Sequence, residues 1–267
     1  MKNKISITIG EKTLHDIDSI IDNVYVRNRS QAIEYLVKMS LGERKCAVIL
    51  AGGRSADLLI SSGEYRLTAQ IGKTTVVERA VKKLRENGFR QVFIVAQQPV
   101  LTKAFEILKD GSQYGVAVQY IEEKEAKGSN ASLRLARGRV NSNFLVVFGD
   151  LLFDSVNLEE LWNDHLRQRG IATLLLSTSN EPSKKGVVSV EGSKVLAFIQ
   201  KPKKAETYLV FSSIFAASPE IFEHIGNSLE YDLFPALAEK GMLYGHLSSE
   251  RVRHIHTKED VLLRPLH

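Results

Sequence analysis

Cysteine is almost missing from this chain. Cys46 is the only one among 267 residues, so neither an intrachain disulfide frame nor a cysteine zinc site can form. No stretch approaches the ~20 uninterrupted apolar residues that a membrane-spanning helix requires, and no leader pattern opens the chain. Internal repeats and low-complexity tracts are absent, which excludes a solenoid. A strong charge excess is lacking too. The 36 Lys and Arg against 31 Asp and Glu leave a net charge of +5 and a pI near 9.1, compatible with an anionic partner but far from histone-like basicity. What is present is 43% hydrophobic residues, enough for a small module plus one sizeable core. These features predict a cytoplasmic protein with no membrane partner.

The first forty-odd residues differ in kind from the rest. Lys4-Ile5-Ser6-Ile7-Thr8-Ile9 alternates strictly, which predicts a strand with Ile5, Ile7 and Ile9 on one face and Lys4, Ser6 and Thr8 on the other. One apolar strand needs a partner, and only helical patterns follow it. The same strand of a second chain is the simplest solution, so a homodimer is expected, with higher order left open. After Gly10 the period changes. Leu14, Ile17 and Ile21 mark one amphipathic helix, and Ile33, Leu36 and Val37 a second, with the polar turn Arg27-Asn28-Arg29-Ser30 between them. Residues 1–43 thus resemble a ribbon-helix-helix DNA-binding module. On that reading Lys4, Ser6 and Thr8 face base edges. Asn28 and Ser30 offer helix-start amides to a phosphate, and Arg27 and Arg29 add positive charge. Double-stranded DNA is the expected partner, and a nucleoid-associated location follows.

From residue 44 to 267 apolar strand-like runs alternate with helical patterns. Cys46-Ala51, Gln91-Ala96, Val116-Ile121 and Asn143-Phe148 read as strands, and Thr75-Glu86, Lys103-Lys109 and Ala131-Arg137 as helices. The alternation predicts an α/β, Rossmann-like domain with a mostly parallel sheet, whose ligands bind beyond the carboxyl ends of the strands. Two strands end there in suggestive loops, Ala51-Gly52-Gly53 and Gly149-Asp150. Together with Gly72-Lys73, Gly128-Ser129-Asn130-Ala131, Gln200-Lys201-Pro202 and Thr257-Lys258-Glu259-Asp260, these landmarks give the domain a resemblance to the sugar-phosphate nucleotidyltransferases. The resemblance implies nucleotide binding by Ala51, Gly52, Gly53, Gly128, Gly149 and Asp150, with Asp150 and Lys201 as the surviving catalytic candidates.

The departures from that family are informative. Its phosphate loop carries an arginine where Asp57 stands here. At about 4 Å and an effective dielectric near 20 one unit-charge pair is worth roughly 4 kcal/mol, and the exchange reverses its sign. Ser55 replaces a glycine, Arg66 a lysine, Gln200 a glutamate, and His254 the family's late metal-binding aspartate. Asp154 reads as a solvated loop carboxylate. His254 and His256 share one strand face, but nothing near them in sequence supplies a third ligand, so no metal site is expected. No cofactor is expected either, with Mg2+ required only if the site is active. These departures predict a catalytically degenerate domain that senses a nucleotide or sugar nucleotide, or mediates assembly, for a DNA-binding transcription regulator. An active nucleotidyltransferase dimerised by its first residues and an architectural DNA-binding protein are the alternatives.

Overall fold

The computed structural model describes residues 5–21, 26–38 and 45–262. The chain divides into two compact units, Met1–Arg44 and Lys45–His267. In the first, α1 (Glu11–Ser19) and α2 (Arg29–Lys38) pack around Ile17, Val26 and Ala32. Ile5 to Gly10 takes no regular secondary structure, and Ile5 and Ile7 are exposed at 75% and 52%. Among the described residues no strand of the same chain stands beside this segment, whose expected partner is the same segment of a second chain. Ser6 and Thr8 stand exposed on that segment, and Lys4 lies outside the described residues.

The polar turn is consumed internally. Asn28 Oδ1 accepts the Gln31 amide at 3.0 Å and caps α2. Gln31 Oε1 in turn accepts the Arg27 amide at 2.7 Å. Arg29 grips Asp18 with two hydrogen bonds of 2.7 and 2.8 Å. The pairing raises the arginine pKa and lowers that of the carboxylate. Arg29 thus ties α1 to α2, and the Asn28 side chain caps the start of α2. Ser30 lies exposed in the first turn of α2.

The second unit begins with β1 (Cys46–Ala51), β2 (Leu59–Ser61), β3 (Glu64–Tyr65), β4 (Gln70–Ile71), β5 (Thr74–Thr75) and α3 (Val76–Glu86). Next come β6 (Gln91–Ala96), α4 (Gln98–Leu108), β7 (Ala117–Glu122), α5 (Ser129–Arg134), β8 (Phe144–Phe148) and β9 (Leu151–Leu152). It continues with α6 (Leu158–Gln168), β10 (Ala172–Thr178), β11 (Gly186–Glu191), β12 (Lys194–Gln200) and β13 (Leu209–Ala217). Last are α7 (Phe234–Glu239), β14 (Leu243–Leu247), β15 (Arg253–His254) and α8 (Lys258–Leu262).

Nine strands form one sheet in the order β10-β14-β12-β11-β13-β8-β1-β6-β7. The half β8-β1-β6-β7 is parallel. Every residue of β1 is buried, as a central strand covered on both faces requires. Beyond β8 the sheet is mixed: β13 runs antiparallel to β8 and β10, and β11 antiparallel to β12. The expected mostly parallel sheet is corrected here. The local cause includes the two-residue turn at Gly192, whose φ of 59° suits a tight hairpin between β11 and β12. One face is covered by α3, α4 and α6 around Phe89, Leu84 and Trp162. The other is covered by α5 and α7 around Phe144, Phe215 and Phe234. α3 opens on a reciprocal cap, with Thr75 Oγ1 accepting the Glu78 amide at 3.3 Å and Glu78 accepting the Thr75 amide at 2.7 Å.

Candidate active site

Parallel pairing of β1 with β8 brings their two carboxyl ends side by side, and the loops after them open a cleft of about 210 Å³. Ala51, Gly52, Gly149 and Asp150 line it, together with Tyr65 and Arg66. The two loops are fastened together, since the Gly149 amide donates to the Leu50 carbonyl at 2.7 Å. A Cβ on Gly149 would stand 2.7 Å from the Ala51 Cβ, so only glycine fits there.

The glycine loop rests on a buried carboxylate. Glu123 is 2% exposed. It accepts the Gly53 amide at 2.7 Å and the Ser132 hydroxyl of α5. A Cβ on Gly52 would meet Ser132 Oγ at 2.5 Å and Glu123 Oε2 at 2.8 Å. The Ser55 amide donates to Gln97 Oε1 at 2.8 Å. The loop is thus held rigidly from behind. Asp57 pairs with Arg54 at 2.8 Å, and its carbonyl accepts from Arg66 Nη2 at 3.1 Å. Arg66 is the cation that lines the cleft, and its Nε is buried without a partner.

Asp150 has two histidines beside it. His256 Nε2 lies 3.0 Å from Asp150 Oδ2, and His254 Nδ1 lies 3.8 Å from Asp150 Oδ1. Burial alone would raise the Asp150 carboxyl, but the two imidazoles outweigh it and hold the group well below the usual carboxylate range. The histidines arrive because β15 pairs antiparallel with β9, which places His254 opposite Leu151. Asp154 is occupied elsewhere, in a two-pronged pair with Arg79 at 3.1 and 2.8 Å.

Of the sequence candidates, Ala51, Gly52, Gly149 and Asp150 line this cleft, and Gly53 stands beside it on Glu123. Gly128 does not. It packs on the loop 226–228, where the Asn227 carbonyl accepts the Asn130 amide at 2.8 Å. Lys201 is exposed, with a φ of 46° and its amide bonded to the Lys185 carbonyl at 2.9 Å. Lys185 lines a separate polar hollow of about 440 Å³ beside β10, together with Arg251 and Arg253. Glu123 and the Asp150–His254–His256 grouping escape a reading of the sequence alone.

Comparison with known proteins bears on this geometry. The family model described as "Nucleotidyl transferase" matches residues 46–248. The catalytic subunit beta of mannose-1-phosphate guanylyltransferase from Xenopus tropicalis is 29% identical over 208 residues, covering 74% of this chain and 57% of that protein. Mannose-1-phosphate guanylyltransferase from Mycobacterium tuberculosis is 24% identical over 224 residues, covering 80% and 62%. The chain thus spans little more than half the length of these curated relatives. A crystal structure described as a glucose-1-phosphate thymidylyltransferase from Bacillus anthracis, in complex with sucrose, has the same fold. Its TM-score is 0.73 at 21% identity, over 82% of this chain and 92% of that one. These likenesses overturn the expectation of a DNA-binding transcription regulator with double-stranded DNA as partner and a degenerate second domain. Among the described residues no helix is long and apolar enough to cross a membrane.

Proposed function

This chain belongs to the nucleotidyl transferase family, and on that footing we propose that it joins a sugar 1-phosphate to a nucleoside monophosphate drawn from a nucleoside triphosphate. A phosphate oxygen of the sugar 1-phosphate attacks the α-phosphorus, a P–O bond forms, the α–β bridge breaks and pyrophosphate leaves. The observation that carries this reading is the cleft at the ends of β1 and β8, which Gly52, Arg66, Gly149 and Asp150 line together. Arg66 supplies the positive charge for the triphosphate. Its guanidinium is steered by the Asp57 carbonyl. Glu123 holds the loop in one shape, so little reorganisation accompanies binding. The polar hollow with Lys185, Arg251 and Arg253 suits the anionic end of a second substrate.

The family implies magnesium, and the donor set at Asp150 tests that directly. Magnesium takes oxygen ligands, whereas the side chains gathered here are one carboxylate and two imidazoles. The set does not fit magnesium, and no step is assigned to it. The relatives named for guanylyl transfer to mannose 1-phosphate make GTP with mannose 1-phosphate the first pairing to assay. The experiment is pyrophosphate release by the purified full chain with each nucleoside triphosphate, several sugar 1-phosphates and a panel of divalent cations. Turnover that falls by about 100-fold or more in Arg66→Ala supports the reading, on the scale of about 2.7–4 kcal/mol for one lost electrostatic contact. No release with any pairing would refute it.

A further inference from the structure

We propose that Asp150, His254 and His256 bind a divalent transition metal of the cobalt, nickel and zinc class in place of magnesium. Their donor atoms all lie within 4.8 Å of one another. A metal takes nitrogen and carboxylate oxygen ligands at about 2.0–2.2 Å, so neighbouring donors around it stand roughly 3–4 Å apart. The observed separations of 3.0 and 3.8 Å from the two imidazoles to the carboxylate are of that size. Imidazole is a borderline ligand that favours transition metals, while carboxylate, carbonyl and water sets suit magnesium.

The backbone on both sides of the set is fixed. The Ile255 amide donates to the Asp150 carbonyl at 2.8 Å, and the Ile255 side chain is fully buried. Asp260 Oδ2 accepts the amides of His256 at 2.9 Å and Thr257 at 2.8 Å, which ties the second histidine to the start of α8. Such anchoring holds ligands near their productive geometry. Three protein ligands leave coordination positions open, as in metal sites that act on a bound molecule. Asp150 also lines the cleft. His256 is the addition that matters. It brings a second imidazole to the carboxylate, 3.0 Å from Asp150 Oδ2.

The metal's role rests on the proposed reaction, but its binding does not, and the test reads binding alone. Cobalt(II) is titrated into the chelator-stripped full chain and followed by calorimetry and by its visible d–d absorption. The expected result is one equivalent bound, with bands that shift when either histidine is removed. His254→Ala and His256→Ala should each weaken binding by more than about 100-fold, beyond the 10–100-fold typical of outer-shell changes. Magnesium at about 1,000-fold excess should not displace the cobalt. His256→Gln keeps the side chain's bulk, so a weakened site with an unchanged metal-free melting curve separates ligand loss from misfolding. Equal cobalt affinity in His256→Gln, or displacement by magnesium at parity, would overturn the proposal and leave a plain imidazole–carboxylate pair. Cobalt binding without pyrophosphate release would sink the proposed function alone. Turnover with magnesium and no cobalt site would sink the metal proposal alone.

Discussion

Lowering the pH should destabilise the second unit through one buried imidazole. His165 on α6 is 2% exposed, and its Nδ1 lies 3.0 Å from the Thr173 hydroxyl. That hydroxyl donates onward to Gln168 Oε1 at 3.3 Å, so its oxygen is left to accept from the ring. Burial disfavours the charged ring and lowers its pKa from 6.5 to about 4, with only Glu220 pulling the other way. The unfolded chain therefore takes up this proton first. Stability from the neutral ring is complete above pH 6.5, falls as the pH drops toward 4, and levels off below that. A shift of this size corresponds to roughly 3 kcal/mol, at 1.36 kcal/mol per pH unit. Chemical denaturation at steps between pH 7.5 and 4 measures it. Trp162, the sole tryptophan, is buried on the same helix against Phe89 and reports the transition by fluorescence. His165→Gln can still bond Thr173 but cannot titrate, so its stability should fall less steeply over that window. Wild type and variant losing the same stability between pH 6.5 and 4 would refute the reasoning.

Gly149→Ala should cost about 1–3 kcal/mol, from overpacking against Ala51 at a strand end with no slack. Denaturant unfolding checks the stability, and pyrophosphate release should fall with it. Asp57→Arg should leave stability nearly unchanged, because the Arg54–Asp57 pair is exposed and such pairs contribute about 0–1 kcal/mol. It should raise triphosphate affinity by about fivefold or more, since each unit charge near 4 Å is worth about 1 kcal/mol even in water. The gain should shrink in high salt. Unchanged affinity at low salt would show that Asp57 does not face the ligand.

The parallel half of the fold was legible because its signals are local. Cys46–Ala51 and Gln91–Ala96 match their strands residue for residue, and the helix expected from Thr75 to Glu86 is there, with Thr75 as its cap. The mixed half was not, since pairing direction depends on where chains meet. The same limit hid the histidine–carboxylate grouping, whose members His256 and Asp150 lie 106 residues apart. Glu123 reads as part of the charged run Glu122-Glu123-Lys124-Glu125. Yet it stands two positions past Ile121, on the strand face that Ile121 buries, and that was the signal available. At the amino terminus, alternation was read as a strand, but Arg29 and Asn28 show how polar residues in a turn can serve the unit's own packing.

The ribbon of β9 with β15 also sets an order of events during synthesis. β1, β6, β7 and β8 have all emerged by Phe148, so the frame of the cleft can assemble while the rest is still being made. At about 5–20 residues per second, the 106 positions separating Asp150 from His256 take roughly 5–20 s to translate. For that interval Asp150 stands without either imidazole. The cleft acquires its final electrostatic character only when β15 folds back beside β9.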